Sequence, residues 1–297
     1  MNGRLEPQLQ NSSEIKELIK RLNVNVKLED GRSVKTLIAY IQPSAETAYL
    51  DKFFEIIKKG VLANFVFTCK EIERKLGLPR QDNEAKLFEK AVRKLSQHTA
   101  KGELGELILF TLLDVYFEAP KLLSKIASNS SRRMPVFGAD AVHGKFDGDK
   151  FELFLGESKL HQKFSPAATD AVKSISSAKE NYQNEFDLIE SNITLLNIAP
   201  SLEEHLIKIL DPFSNENVED LISSACFIGF SEPHLFQCSP DVFEKQYIEL
   251  AEKHINDYYE KAEQQDLDIE KTYLMMLPFS CINELVEGFI QYIGIPK

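Results

Sequence analysis

Apolar residues recur at helical spacing through much of the first ninety-five residues. The segments SAETAYLDKFFEIIKKGVL, VFTCKEIERKLGLP and DNEAKLFEKAVRKLSQH each predict an amphipathic helix. Gly77 and Pro79 are expected to end the second of these helices. Residues 1–95 are therefore expected to be a mostly helical N-terminal region.

The pattern changes after Gly102. GELGELILFTLLDVYFEAPKLLSKIA predicts a long apolar helix, kinked or broken at Pro120, with Glu103 and Glu106 on one side. Two strand-like segments follow, one around Asp140 and one over 151–155, and a helix is expected to begin at Ser165-Pro166. SSACFIGF (223–230) has β character, and the segments beyond it are helical in pattern. We therefore divide the chain into 1–95, a core over 96–235, and a helical C-terminal region over 236–297.

The two strand-like segments predict a hairpin whose geometry can be derived. Asp147-Gly148 is a favoured two-residue turn. That turn places Asp140 opposite Leu155 and diagonal to Glu157, and Lys159 lies two residues further along the same face. A slip of one residue would send Asp140 to the other face. The hairpin therefore predicts that Asp140, Glu157 and Lys159 converge.

Two neighbouring carboxylates repel each other unless a positive charge lies between them. A hard cation such as Mg²⁺ prefers oxygen ligands, so Asp140, Glu157 and the backbone carbonyl of Ser158 are the expected metal ligands. Lys159 would lie beside the ion, where it orients or deprotonates a water or stabilises charge on a phosphate oxygen. The alternative without a functional site is an edge strand on which Glu157 and Lys159 form a weak surface ion pair.

The tripeptide Glu-x-Lys is not informative by itself, because it occurs four times. The other three copies, at 14–16, 73–75 and 84–86, lie in amphipathic helical segments, where solvated surface charge explains them. Only Glu157-Ser158-Lys159 ends an apolar strand and has an aspartate at hairpin distance. Apolar residues on both faces of 151–155 favour a central strand and hence a functional site.

Net charge is −11, but it is unevenly distributed. Residues 181–297 contain 6 basic and 22 acidic residues, while the preceding parts are slightly basic. The acidic third is either a solvated helical surface, a face that repels nucleic acid, or a docking site for a basic partner. The four cysteines have no C-x-x-C spacing, which argues against a zinc site. With no signal-like or membrane-spanning run, a cytoplasmic protein is expected.

The order of an acid-bearing helix, a strand with Asp140, a strand ending in Glu157-Ser158-Lys159 and a helix resembles the PD-(D/E)xK nuclease superfamily. That resemblance implies an α/β (α+β) fold with a mixed sheet, built as helix-strand-strand-strand-helix-strand. It also implies a catalytic role for Asp140, Glu157 and Lys159, and for Glu106 or, less favoured, Glu103. Ala139 stands where the superfamily's name has proline, and the first strand is not obvious between 127 and 136.

KGELGELILFTLL, GADAVHG, FLGESKLH and ACFIGF together resemble the nuclease subunit of the Hachiman anti-phage defence system. This resemblance covers roughly residues 95–235. It implies a Mg²⁺-dependent deoxyribonuclease, in which Mn²⁺ can substitute, acting as a defence effector together with a helicase partner. The competing hypothesis is a non-catalytic acidic scaffold or adaptor with a degenerate nuclease fold that binds a partner protein.

Several polar residues near the hairpin are weaker candidates. His161 continues the face of Glu157 and Lys159, so contact with a phosphate and a polar strand end are both open. His143 falls on the opposite face from Asp140 and is expected to be structural. For DNA-backbone contacts we expect Lys163, Lys173, Arg132 and Arg133, each of which is otherwise ordinary surface charge.

Overall fold

The computed structural model describes residues 5–43, 46–77, 83–124, 139–147, 150–180 and 218–297, together with residues 204, 207 and 208. The strands are β1 (Ile19–Arg21), β2 (Lys35–Ile41), β3 (Lys121–Ser124), β4 (Ala141–Asp147), β5 (Lys150–His161), β6 (Ile222–Ser231) and β7 (Thr272–Phe279). The α-helices are α1 (Ser12–Leu18), α2 (Glu46–Ile56), α3 (Leu62–Val66), α4 (Cys69–Leu76), α5 (Asn83–Val92), α6 (Ala100–Tyr116), α7 (Phe164–Glu180), α8 (Pro240–Glu263) and α9 (Ile282–Ile293). One π-helical turn, Ile57–Val61, joins α2 to α3.

Within the described residues, the seven strands form one mixed sheet in the order β1-β2-β7-β6-β5-β4-β3. The four central strands, β2, β7, β6 and β5, are parallel, and the outer pairs are antiparallel. The central strands are apolar on both faces, as expected of strands covered by helices on each side. This arrangement places β5, with the candidate site residues, inside the sheet.

Alternate residues of the central strands pack into two different cores. On one face, Phe227 and Met275 pack with α6, α9 and the N-terminal helices. On the other face, Cys226 and Leu274 pack with α7 and α8. The sheet is therefore the middle layer of three, with helices on both sides.

The predicted order helix-strand-strand-strand-helix-strand is confirmed by α6, β3, β4, β5, α7 and β6. One correction concerns residues 121–124, which the pattern predicts to be helical and which form the first of the three strands. The helix ends at Tyr116, and Lys121–Ser124 forms β3, antiparallel to β4. Pro120 thus separates a helix from a strand rather than kinking one long helix.

Two central strands come from regions that the pattern predicted to be helical or left unassigned. Lys35–Ile41 forms β2, and Thr272–Phe279 forms β7, which lies between β2 and β6. One sheet therefore combines strands from 1–95, 96–235 and 236–297. No helix in the described part of the chain is long and apolar enough to cross a membrane.

Candidate active site

The β4–β5 hairpin brings Asp140 to Glu157 in a register that differs from the predicted one. The ladder pairs Asp147 with Lys150 and Ala141 with Gly156, so Asp140 comes opposite Glu157 and not Leu155. Its backbone N–H donates to the Gly156 carbonyl at 2.9 Å. The prediction of the opposite residue was wrong, but a shift of two residues preserves the face.

Asp140 is buried directly before the first residue of β4, where its carboxylate is held by β5. Its Oδ2 accepts hydrogen bonds from the Ser158 backbone N–H at 3.0 Å and from the Ser158 hydroxyl at 3.1 Å. The N–H and C=O of one strand residue point to the same side of the strand. The Ser158 carbonyl therefore points toward the same edge as Asp140, which is the orientation that a metal ligand there requires.

Glu157 and Lys159 lie two residues apart on the opposite face of β5 from α6. The Lys159 ammonium donates to Glu157 Oε1 at 2.5 Å. The side chain of Glu157 is 5% exposed and that of Lys159 is 30% exposed, so the carboxylate is buried while the ammonium reaches solvent. The pair therefore differs from the weak surface ion pair expected on an edge strand, because one of its partners is buried.

The charges of the three side chains influence one another. Burial, together with the Asp140 charge, raises the pKa of Glu157 to about 7, although Lys159 and Ser174 partly offset this. Burial alone would lower the pKa of Lys159, but Glu157 and Asp140 outweigh it and raise the pKa above its ordinary value. Repulsion between the carboxylates thus makes the site favourable for an added cation, and Lys159 stays protonated near neutral pH.

Helix α6 packs on the other face of β5, and its two acids differ in their surroundings. Glu103 accepts from the Thr99 hydroxyl at 2.6 Å and from the Ser96 N–H at 3.2 Å, so it stabilises the first turn of its own helix. Glu106 is buried, and it directly follows Gly105, which lies against Ser158 and Leu160 of β5. Helix capping accounts for the position of Glu103 but not for that of Glu106.

The weaker candidates are placed as follows. His161 is half-buried at the end of β5, with Nδ1 3.1 Å from both the backbone nitrogen and the carbonyl oxygen of Lys163. Lys163 and Lys173 are exposed. Arg132 and Arg133 lie outside the described residues. His143 is fully buried against Phe110, on the α6 side, which matches its expected place on the opposite face.

The oxygen donors at this site suit a hard divalent cation that takes only a few of its ligands from the protein. In the described part of the chain, no three His, Cys, Asp or Glu side chains form a group that could hold a metal ion. Asp140 and Glu157 would therefore supply two carboxylates, the Ser158 carbonyl a third oxygen, and water or phosphate the rest. Mg²⁺ characteristically binds through one or two carboxylates while keeping several waters.

Two serine side chains contribute to the site and were missed in the sequence. The Ser158 hydroxyl anchors Asp140, and the Ser174 hydroxyl of α7 lowers the pKa of Glu157 through a hydrogen bond. Ser158 was assigned only a backbone role, although its position between Glu157 and Lys159 was a signal. Nothing in the local sequence around Ser174 indicates its role, because the contact depends on how α7 packs.

Ser165, expected to cap α7, instead lies one residue inside it and accepts a hydrogen bond from Lys261 at 2.8 Å.

Comparison with known proteins extends this picture beyond the hairpin. The HamA family model matches residues 14–293, which is nearly the whole chain. No curated protein matches the sequence.

Proposed function

The chain belongs to the HamA family, which indicates a component of Hachiman anti-phage defence, and from that premise we propose that it is the nuclease effector of such a system. The proposed activity is Mg²⁺-dependent hydrolysis of DNA phosphodiester bonds in the cytoplasm. The observation that carries the proposal is the buried Asp140–Ser158 contact beside the Glu157–Lys159 pair, at the end of a central strand. A structural role alone does not explain two converging carboxylates that repel each other there.

In this mechanism the chain's own residues position the reactants. Asp140, fixed by two hydrogen bonds from Ser158, and Glu157, held by Lys159, would bind Mg²⁺ with the Ser158 carbonyl. When bound, Mg²⁺ supplies Lewis-acid activation of water and neutralises charge on the phosphate. By holding that cation in a fixed place, the two carboxylates would orient the scissile phosphate.

The state of Lys159 decides between its two expected roles. Glu157 and Asp140 raise the pKa of Lys159, so the group is an ammonium and not a base before a cation binds between the carboxylates. Its partly exposed Nζ is placed to donate to a phosphate oxygen and to stabilise the negative charge that develops there. We therefore assign Lys159 an electrostatic role.

The proposed partners are DNA and a helicase subunit. Lys163 and Lys173 are exposed on the elements that follow Lys159, where they are suited to contact a DNA backbone. The acidic C-terminal third includes α8, whose exposed residues include Glu244, Glu252 and Glu260. Such a surface repels DNA and favours a basic protein partner, as expected if a helicase docks there.

The test is DNA cleavage by the purified protein with Mg²⁺, alone and together with the proposed helicase partner. Lys159→Met and Glu157→Gln are each expected to reduce the cleavage rate about 10²-fold or more, because each removes a group that acts on the reacting phosphate. Thermal unfolding of each variant shows whether the fold survives.

A matched control comes from another Glu-x-Lys tripeptide. Glu84 and Lys86 are both exposed on α5, so Glu84→Gln and Lys86→Met are expected to cleave DNA as the unsubstituted protein does. If Lys159→Met cleaved equally well, the catalytic assignment would be wrong. If neither the chain nor its complex cleaved DNA with Mg²⁺ or Mn²⁺, the scaffold hypothesis would replace the nuclease.

Metal binding is predicted separately from activity. Mg²⁺ or Mn²⁺ is expected to raise the midpoint of thermal unfolding, because the ion binds only the folded carboxylate pair. Asp140→Asn should abolish this increase, whereas Asp51→Asn, on the exposed surface of α2, should retain it. An increase of equal size in Asp140→Asn would place the ion elsewhere.

A further inference from the structure

A pocket lies where β1, β2 and β7 meet the C-terminal end of α6. Its volume is about 270 Å³. Its lining combines cationic and aromatic side chains with short apolar ones; the principal residues are Arg21, Val24, Lys35, Tyr116, Phe117 and Tyr273. Such a combination of charge and ring surface is typical of ligand sites more than of ordinary surface grooves.

This pocket is separate from the candidate active site. Near its N-terminal end, α6 lies against Ser158 through Gly105. Just after its C-terminal end, Phe117 contacts Phe154 and Tyr273. Twelve residues separate Gly105 from Phe117, so the two contacts are roughly 18 Å apart along the helix at 1.5 Å per residue.

The two cations of the pocket have no carboxylate partner among the described residues. Arg21 is exposed at the end of β1, and it is close enough to Tyr116 to affect the pKa of that phenol. Lys35 begins β2 and directs its ammonium to the hydroxyl of Tyr273 at 2.9 Å, with the same nitrogen 4.4 Å from the ring centroid. Both cations are therefore available to an anion in the pocket.

The aromatic wall is held in place by polar contacts across the sheet. The Tyr273 hydroxyl donates to Glu152 at 2.8 Å, and Ser223 donates to the same carboxylate oxygen at 2.7 Å. Lys145 lies 3.3 Å from the other oxygen of Glu152. Phe117 packs edge-on against Tyr273, with centroids 5.5 Å apart. These contacts fix the rings before any ligand binds, which lowers the entropic cost of binding.

We propose that this pocket binds a nucleoside monophosphate. The phosphate would contact Arg21 and Lys35, because a guanidinium matches phosphate oxygens with paired donors. The base would lie against the half-buried rings of Tyr116 and Phe117, since aromatic side chains stack on bases of any sequence. The proposal does not depend on the nuclease activity.

The direct test is titration calorimetry of the full chain with AMP, GMP, CMP and UMP, without metal. At least one monophosphate is expected to bind, and adenosine and inorganic phosphate are each expected to bind roughly tenfold or more weakly. Adenosine lacks the phosphate and inorganic phosphate lacks the base, so each probe loses one of the two sets of contacts. A charge-assisted hydrogen bond alone contributes about a tenfold difference in affinity.

Variants assign the binding to this pocket. Arg21→Gln is expected to weaken nucleotide binding roughly tenfold and to leave the unfolding midpoint of the free protein unchanged, because Arg21 is exposed. Phe117→Leu removes the ring and should weaken the nucleotide more than inorganic phosphate. Lys27→Gln is the matched control, since Lys27 is exposed close to β1 in the chain but does not line the pocket.

Four results would overturn the proposal. No monophosphate binds; Arg21→Gln binds as tightly as the unsubstituted chain; inorganic phosphate binds as tightly as the nucleotides, which makes the pocket an anion site; or only an oligonucleotide binds through Arg21, which makes it a strand-binding surface. None of these results bears on cleavage at Glu157 and Lys159, so the two proposals fail independently.

Discussion

Lys121 is a buried cation at the start of β3, and backbone carbonyls stabilise its charge. Its ammonium donates to the carbonyls of Asn64 at 2.5 Å, Phe65 at 2.9 Å and Phe67 at 3.1 Å, at the end of α3. The last turn of a helix generally leaves its carbonyls without intrahelical donors, and the Lys121 ammonium supplies a donor at this end of α3. The lysine therefore caps α3 from the neighbouring sheet.

We predict that Lys121→Met destabilises the fold by about 3 kcal/mol, because it removes a buried donor shared by three carbonyls. Urea unfolding followed by circular dichroism measures the change. Lys101→Met is the control, since Lys101 is exposed on α6, and it should change stability by no more than about 0.5 kcal/mol. Equal stability of Lys121→Met and the unsubstituted protein would show that water replaces the ammonium.

His143 gives the fold a dependence on acidity. Burial lowers its pKa to about 3 from an ordinary value of 6.5, even though Nδ1 contacts the Ala119 carbonyl at 2.7 Å. Unfolded chains bind a proton at this histidine below about pH 6.5, whereas folded chains do not until about pH 3. The free energy of unfolding contributed by His143 therefore falls as pH decreases through that window.

The expected slope from this one group is at most about 1.4 kcal/mol per pH unit. His143→Asn keeps a donor near the Ala119 carbonyl but cannot be protonated, so its stability should fall less steeply between pH 6.5 and 4. Chemical unfolding at a series of pH values compares the two proteins. Parallel curves would mean that the folded protein accommodates a protonated imidazole.

At the scale of elements, α6 packs closely on β5 at Gly105, the residue before Glu106. A Cβ added at Gly105 would come 3.2 Å from the Ser158 hydroxyl and 3.5 Å from Leu160. Nothing lies within 4 Å of a Cβ added at Gly102, one turn earlier on the same helix. The two glycines therefore differ in packing while sharing a helical backbone.

Gly105→Val is predicted to separate α6 from β5, to destabilise the fold by about 1–3 kcal/mol, and to reduce DNA cleavage by displacing Ser158. Gly102→Val should be neutral or slightly stabilising, because glycine is the poorer helix former. Thermal unfolding and the cleavage assay report the two effects. If both variants behaved alike, close packing at Gly105 would not matter.

The elements that sequence could predict are those with a local signal. The amphipathic helices and the hairpin had periodicity or a turn pair, and the face shared by Asp140 and Glu157 survived the shifted register because strands alternate with period two. The strands β2 and β7 are buried on both faces, so they show no alternation that separates them from a buried helix. The contact of Ser174 with Glu157 depends on tertiary packing, which local pattern does not encode.

At the scale of the molecule, the sheet joins the two ends of the chain. β7, from the C-terminal region, lies between β2 of the N-terminal region and β6 of the core. Tyr247 and Tyr259 of α8 strengthen this junction, because each hydroxyl lies within hydrogen-bonding distance of carbonyl oxygens on both β2 and β7. The candidate site therefore rests on a sheet that no single predicted region can complete.

This topology predicts that residues 96–235 do not fold alone, although they contain every proposed catalytic residue. Without β7, the apolar strand β6 becomes an exposed edge with unpaired backbone groups, and one face loses α8. The isolated segment should aggregate or lack a cooperative unfolding transition, while the full chain unfolds cooperatively. Circular dichroism and limited proteolysis of both proteins make the comparison. A cooperative transition in 96–235 would show that the core is an independent domain, and that β2 and β7 only extend a sheet already stable without them.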